Sequence, residues 1–271
     1  MKIATWPMKI ATWNVNSVRQ RETHIRAWLE RVQPDVLFLQ EIKCEAPAFP
    51  ALTFEAAGYR AEVVGQKSYN GVAVLARVPF TVTHRTLPGL PAEDAQARYI
   101  EIEAAGITLI GIYLPNGNSG AEAGYAYKLA WMDALRARAA GLIAADMAFA
   151  ILGDFNVCPT DADFAKGALP AGDALVRPET RAHYRSLLWL GLTDAIRALH
   201  PTGPIWTFWD YQAGAWPRDI GLRIDHALLS PALAERLVSA APDRDERGRP
   251  QPSDHVPVVV EIAEPAGQGA Q

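Results

Sequence analysis

Short apolar runs recur along this chain, and most of them end beside a carboxylate, an amide or an imidazole. Asn14 follows Ile-Ala-Thr-Trp and Glu41 follows Val-Leu-Phe-Leu-Gln. Tyr113 closes Ile-Thr-Leu-Ile-Gly-Ile, and Asp154 and Asn156 follow Ala-Ile-Leu-Gly. Asp225 and His226 fall inside Leu-Arg-Ile-Asp-His-Ala-Leu-Leu, while Asp254 and His255 precede Val-Pro-Val-Val-Val. Apolar runs of about four to eight residues bounded by Gly and Pro read as buried strands. A strand end is held rigidly by its sheet, so polar groups collected there can form an ordered site.

Strands are expected at 9–13, 36–39, 61–64, 71–76, 100–103, 107–113, 148–152, 205–209, 224–229 and 256–262. Between them, 21–32 carries Ile25, Trp28, Leu29 and Val32 at helical spacing and is stopped by Pro34. A long helix over 121–142 places Leu129, Met132, Leu135 and Leu142 on one face. Shorter helices are expected near 181–190 and 193–199, the second capped by Thr193. Strands interspersed with helices predict two sheets packed face to face with helices outside.

No shift in composition marks a boundary, so 8–262 reads as a single domain. Met-Lys-Ile-Ala-Thr-Trp occurs twice, at 1–6 and 8–13, and only the second copy runs on into Asn14-Val15-Asn16. Residues 1–7 therefore read as a duplicated segment ahead of the fold. The Gly/Ala/Pro-rich end, 263–271, reads as a disordered tail. With 49% hydrophobic and 21% charged residues the composition is ordinarily globular. No membrane span is expected, since no run approaches about 18 apolar residues, and no signal peptide is expected either. Cys44 and Cys158 form no C-x-x-C pair, which disfavours structural zinc and suits a reducing, cytoplasmic setting. A net charge of −4 does not exclude DNA, because phosphate contacts need only a local basic stripe.

The chemistry-bearing residues offer carboxylate and amide oxygens and no His/Cys ligand set. Few, hard oxygen donors suit Mg²⁺ held partly through water and substrate phosphate. Asn14, Glu41 and Asp254 are the candidate ligands. Asp154 and Asn156 lie two apart and can point the same way, one activating water and the other holding a phosphate oxygen. His255 needs an acceptor to set its tautomer, and Asp225 is the candidate. Each residue alone has an ordinary explanation as a turn, cap or surface residue; their joint order carries the weight.

That order resembles a known family. Trp13-Asn14-Val15-Asn16, Gln40-Glu41-Ile42-Lys43, Gly153-Asp154-Phe155-Asn156, Gly221-Leu222-Arg223-Ile224-Asp225 and Ser253-Asp254-His255-Val256-Pro257 resemble the signature blocks of the exonuclease III branch of the endonuclease/exonuclease/phosphatase superfamily. The resemblance implies an α/β fold, a four-layered α-β-β-α sandwich of two mixed sheets flanked by helices. It implies a Mg²⁺-dependent enzyme, with Mn²⁺ a possible substitute, that cleaves DNA 5′ to abasic sites and has 3′-5′ exonuclease and 3′ phosphodiesterase activity. The implied partner is double-stranded DNA with abasic sites or 3′ ends, met by a monomer with no membrane role. Glu41 would be the principal metal ligand, with Asn14 and Asp254 nearby. Asp154 would orient or deprotonate the attacking water. Asn156, Tyr113, Asn116 and His255 would hold the phosphate, and Asp225 would orient His255. Lys43 would stand near the metal, and Arg98, Arg218 and Arg223 would contact phosphates. Phe208, Trp209, Leu222 and Ile224 would form an apolar pocket for a flipped-out abasic sugar, although strand alternation implies that one of the two aromatics is core. Asp219 departs from the asparagine common at that position. A phosphoesterase acting on a non-DNA phosphorylated substrate stays open as the alternative.

Overall fold

The computed structural model describes residues 7–94 and 96–265. The duplicated segment, apart from Pro7, and the tail beyond 265 lie outside the described residues. The strands are β1 (Met8–Asn14), β2 (Val36–Gln40), β3 (Arg60–Val64), β4 (Val72–Ala76), β5 (Thr81–His84) and β6 (Tyr99–Ala104). They continue with β7 (Ile107–Tyr113), β8 (Phe149–Asp154), β9 (Thr193–Asp194), β10 (Asp225–Leu229), β11 (Leu237–Pro242) and β12 (Val258–Ile262). The helices are α1 (Glu22–Val32), α2 (Ala51–Ala56), α3 (Ala121–Ala144), α4 (Pro178–Leu188), α5 (Ala195–Leu199) and α6 (Pro231–Ala234).

Two six-stranded sheets form, in the orders β11-β12-β1-β2-β4-β3 and β5-β6-β7-β8-β10-β9. Each is mixed: β1 runs parallel to β2 and β7 parallel to β8, and the remaining pairs are antiparallel. The period-two alternation of the strands decides the layers. Ile10, Phe38, Leu109 and Leu152 meet between the sheets. Their neighbours Trp13, Leu37 and Leu39 turn outward against Ile25, Trp28 and Leu29 of α1. Ile110, Phe149 and Ile151 turn outward against Trp131, Met132 and Leu135 of α3 and Leu187 of α4. Helices therefore cover both outer faces, giving four layers. The sheets approach closely at Gly111, where an added Cβ would lie 2.2 Å from the Phe38 ring. Among the described residues no helix is long and apolar enough to cross a membrane.

Several expectations need correction. Segment 205–209 makes no strand; Phe208 alone bridges Leu222 on one side and His255 on the other. Residues 193–199 split into β9 and α5, and the cap is Asp194, whose side chain accepts from Arg197 N, rather than Thr193. β12 begins at Val258 because Pro257 has no N–H to give the ladder. The edge strands β5 and β11 and the short helices α2 and α6 had no strong apolar pattern to betray them.

One ion network pins α3 to the edge of the second sheet. Glu101, on β6 and 1% exposed, accepts from Arg138 at 2.6 and 3.0 Å, from Tyr99 Oη at 2.5 Å and from Thr83 Oγ1 at 2.8 Å. Burial alone would raise its pKa, but the hydrogen bonds from Arg138, Tyr99 and Thr83 outweigh it and bring the pKa from 4.5 down to about 2. A depressed carboxylate adds stability above its unfolded value and loses it as pH falls toward the folded one. Glu101→Gln should therefore cost on the order of 3 kcal/mol at pH 7. The two proteins' denaturant midpoints should converge between pH 4.5 and pH 2; equal midpoints at pH 7 would remove Glu101 as an anchor.

Candidate active site

The site forms where the parallel strand pairs end. Asn14 pairs with Gln40 at the ends of β1 and β2, so Asn14 and Glu41 emerge side by side. Tyr113 pairs with Asp154 at the ends of β7 and β8, and Asp225 on β10 lies opposite Asp154. The backbone turns sharply here. Asn16, Ser17, Glu41, Lys43 and Asn156 all adopt left-handed φ, between 44° and 90°. Such conformations are unfavourable for side-chain-bearing residues and persist only where surrounding contacts hold them. Gly153 meets a harder limit, since a Cβ there would stand 2.0 Å from the Ile112 carbonyl oxygen.

Asn14 Nδ2 donates to Glu41 Oε1 at 2.8 Å and to Asp154 Oδ2 at 3.0 Å, joining carboxylates from the two sheets. Its Oδ1 accepts from Asn16 N at 3.1 Å, so the side-chain oxygen expected to bind metal faces the backbone, not the carboxylates. Lys43 Nζ stands 2.9 Å from Glu41 Oε2 and 2.5 Å from Asn16 Oδ1. Asp254 Oδ1 accepts from Asn16 Nδ2 at 3.2 Å. Asp154 Oδ1 accepts from Asn156 N at 2.8 Å. Asn116 Nδ2 donates to Asn156 Oδ1 at 2.8 Å. His255 places Nδ1 2.8 Å from Asp225 Oδ2 and Nε2 3.7 Å from Asp154 Oδ2. Phe208 meets the His255 ring edge-on, with centroids 4.9 Å apart.

These contacts set the charges. Burial pushes the Asp154 carboxyl upward; the His255 charge opposes this, while Asp225 and Glu41 add to it. Burial alone would lower the His255 pKa, but the carboxylates of Asp225 and Asp154 raise it, so the ring is held as imidazolium. Burial raises Glu41, yet the Asn14 hydrogen bond and the Lys43 charge bring it below the ordinary value. Burial and the negative charges of Glu41 and Asp154 keep the Tyr113 phenol protonated.

A ligand atom each from Glu41, Asp154 and His255 lies within 4.8 Å of the others. An imidazolium repels a cation, so of these three the two carboxylates are the usable donors. Two hard oxygen donors with room for water and substrate oxygens fit a magnesium-like ion and not a soft one. The buried Oδ1 of Asp225, which has no hydrogen-bond partner among the described residues, faces this corner.

A cleft of about 590 Å³ opens over the cluster, lined by Glu41, Tyr113, Asn116, Asp154, Asn156, Asp254 and His255. Phe208, Leu222, Ile224, Leu169 and Leu175 give it an apolar wall, and Lys166 and Arg218 add positive charge. Lys166, Leu169 and Leu175 were not anticipated; they lie on an irregular segment with no periodicity to read. Two anticipated contacts are corrected. Arg223 is 1% exposed and pairs with Asp163 and Asp194, both at 2.7 Å, so its charge is spent inside the protein. Trp209 is fully buried and donates its indole N–H to Asp219, whose charge Arg244 also meets at 2.8 Å. Arg98 lies over the Tyr113 ring, 4.7 Å from its centroid, and donates to the Tyr113 carbonyl, so it supports that residue from the side.

A four-layered sandwich whose facing strand ends gather two carboxylates, an Asp–His pair and a fan of amides has the build of a metal-dependent phosphoesterase. The chain belongs to the Endonuclease/Exonuclease/phosphatase family, which it matches over residues 11–255. It is 36% identical over 274 residues to exodeoxyribonuclease III of Haemophilus influenzae, covering 94% of this chain and all of that one. Among solved structures it resembles the 3′ phosphatase NExo from Neisseria bound to a product DNA hairpin, with a TM-score of 0.89 and 36% identity over 95% of this chain and 100% of that chain. It likewise resembles an AP endonuclease from Archaeoglobus fulgidus, with a TM-score of 0.88 and 35% identity over 94% of this chain and 99% of that chain.

The placement of Arg223 makes a prediction. Arg223→Met removes the guanidinium that meets both Asp163 and Asp194 and leaves the buried Asp194 carboxylate without it. Breaking such a pair should cost about 3–5 kcal/mol in urea or thermal unfolding. A variant of unchanged stability would show that the Arg223 ion pairs do not hold this part of the fold.

Proposed function

We propose that this protein is a Mg²⁺-dependent DNA repair nuclease that cleaves the phosphodiester 5′ to abasic sites and trims 3′ ends as an exonuclease and 3′ phosphodiesterase. The observation that carries this reading is the single cleft. An anionic floor able to hold a divalent ion lies beside an Asp–His pair and an apolar wall of Phe208, Leu222 and Ile224. A base-less sugar fits such a wall, whereas an intact nucleotide would bring a base and pay the cost of unstacking it. The names of the relatives, an exodeoxyribonuclease, a 3′ phosphatase and an AP endonuclease, support both the incision and the end-trimming activities.

In this reading Glu41 would hold the ion, with Asp254 and Asn14 nearby, and Asp154, the other carboxylate of the cluster, is left to face the water. A bound Mg²⁺ would supply positive charge against the negative charge that develops in phosphoryl transfer. Asp154, held by Asn14 and the Asn156 N–H and made more basic by its surroundings, takes the proton of the attacking water. His255, kept charged by Asp225, and the protonated Tyr113 donate to phosphate oxygens, and Asn116 and Asn156 complete the grip. Lys166 and Arg218 at the rim meet the flanking phosphates. In the same reading the enzyme works in the cytoplasm as a monomer, which is part of the proposal.

A duplex with one tetrahydrofuran site should be nicked in Mg²⁺, more weakly in other divalent ions except Mn²⁺, and left intact in EDTA. Asp154→Ala should lower the rate by at least ~10³-fold while still retaining the duplex on a gel. Normal cutting by that variant would overturn the assignment of the water-activating group. Turnover of small phosphomonoesters with no action on the duplex would instead favour the non-DNA alternative. Arg218→Ala should weaken duplex binding and reduce its salt slope by about one, with no loss of stability; an unchanged slope would remove Arg218 from the interface.

A further inference from the structure

The apolar stripe of α3 is interrupted by a lysine. Tyr125, Lys128, Met132, Leu135, Ala139 and Leu142 are its buried residues at alternating three- and four-residue spacing, and Lys128 is 0% exposed. Its ammonium does not reach the cleft. It donates to two backbone carbonyls, Asn116 O at 3.0 Å and Asn156 O at 2.6 Å. These two residues lie on separate loops, one leaving β7 and the other leaving β8, and their side chains meet at 2.8 Å. The aliphatic stem packs directly under the first loop, since a Cβ on Gly117 would lie 2.7 Å from Lys128 Cδ.

We propose that Lys128 is a positioning residue for the phosphate-holding amides, tying the loops after β7 and β8 together so that Asn116 and Asn156 stand at a fixed separation. The proposal rests on the reading that these amides grip a scissile phosphate. Three features argue for it over simple core filling. A methionine would fill the same space without desolvating a charge, a cost seen in the Lys128 pKa, which burial pulls from 10.5 to about 7 against the Asp154 charge. An ammonium has three donors on one atom, so it can satisfy two converging carbonyls at once. Asn156 is in the left-handed region at φ 49°, its Oδ1 taking Asn116, its Nδ2 reaching the Leu114 carbonyl and its N–H reaching Asp154. Moving its carbonyl would therefore move the phosphate-gripping amide. A misplacement of about 1 Å at such groups can cost ~100-fold in rate.

The test compares Lys128→Met and Lys128→Arg with the intact chain in Mg²⁺, on two substrates: a tetrahydrofuran-bearing duplex and bis(p-nitrophenyl) phosphate. Lys128→Met should lower kcat by ~10–100-fold with KM little changed. Lys128→Arg, which keeps donors, should recover a large part of the loss. In an Asn116→Ala/Asn156→Ala background the Met substitution should have little further effect, because the groups it positions are gone. Additive losses, or a Lys128→Met protein with normal kcat on the substrate that the intact chain turns over, would overturn the proposal. If the intact chain cleaves the small diester and not the duplex, the DNA assignment fails while Lys128 is still tested. Should neither substrate turn over, the side-chain amide resonances of Asn116 and Asn156 decide: signals unmoved by Lys128→Met defeat the tether. Thermal melts set the temperature at which every variant is compared folded.

Discussion

The Asn14 side chain joins the two sheets at their working edge. Its amide nitrogen reaches Glu41 from its own sheet and Asp154 from the other, and the Asn14 backbone carbonyl accepts the Ser253 hydroxyl at 2.7 Å. Two carboxylates brought this close in a buried setting repel one another and resist ionisation. Shared donors and nearby cations, Lys43 beside Glu41 and His255 beside Asp154, hold them together. Burial, with Asp225 and Glu41 adding to it, makes Asp154 more basic, and Asp225 and Asp154 outweigh burial to hold the charge on His255.

The rest of the architecture keeps this edge rigid. Gly111 lets the sheets approach, Gly153 lets β8 lie close against Ile112 of β7, and the left-handed residues turn the chain back as the strands end. Beneath the apolar wall, Arg223, Asp163 and Asp194 form a buried ion network from three segments distant in sequence. Arg197 joins it at Asp163, and the Thr160–Asp163 capping box fixes the turn that carries Asp163. Leu222 and Ile224 flank Arg223, so the network holds the wall from behind while its charges stay out of the cleft. Buried ion pairs contribute little net stability but are costly to break, which suits a wall that must not shift.

The legible parts of the fold were those with a strong local pattern. Central strands were readable as continuous apolar runs because the sandwich buries both their faces, and the helices at 22–32 and 121–144 because burial of one face dictates their periodicity. The edges were less so. β5 and β11 have partners on one side only and carry mixed residues such as Thr81, Thr83 and Ser239. The segment around Phe208 looked like a strand because its aromatics promote extended structure. It instead contributes a single residue to two bridges, since Leu222 and His255 approach from opposite sides and leave no continuous partner. At α5, Asp194 caps in place of Thr193 because the helix starts at Ala195, one position later than expected, which puts the Asp194 carboxylate within reach of Arg197 N.

By itself the sequence determined which polar groups stand at the ends of which apolar runs, and therefore that hard oxygen donors, an imidazole and amides would be available together. That follows from local patterning, which needs no knowledge of distant partners. Tertiary structure alone decided that Phe208 faces the cleft while Trp209 is buried. It likewise decided that Arg218 lines the rim while Arg223 is consumed inside, and that a lysine in an apolar stripe holds two loops. In irregular segments no periodicity assigns a side, and a buried cation is stable only where partners from elsewhere in the chain converge on it.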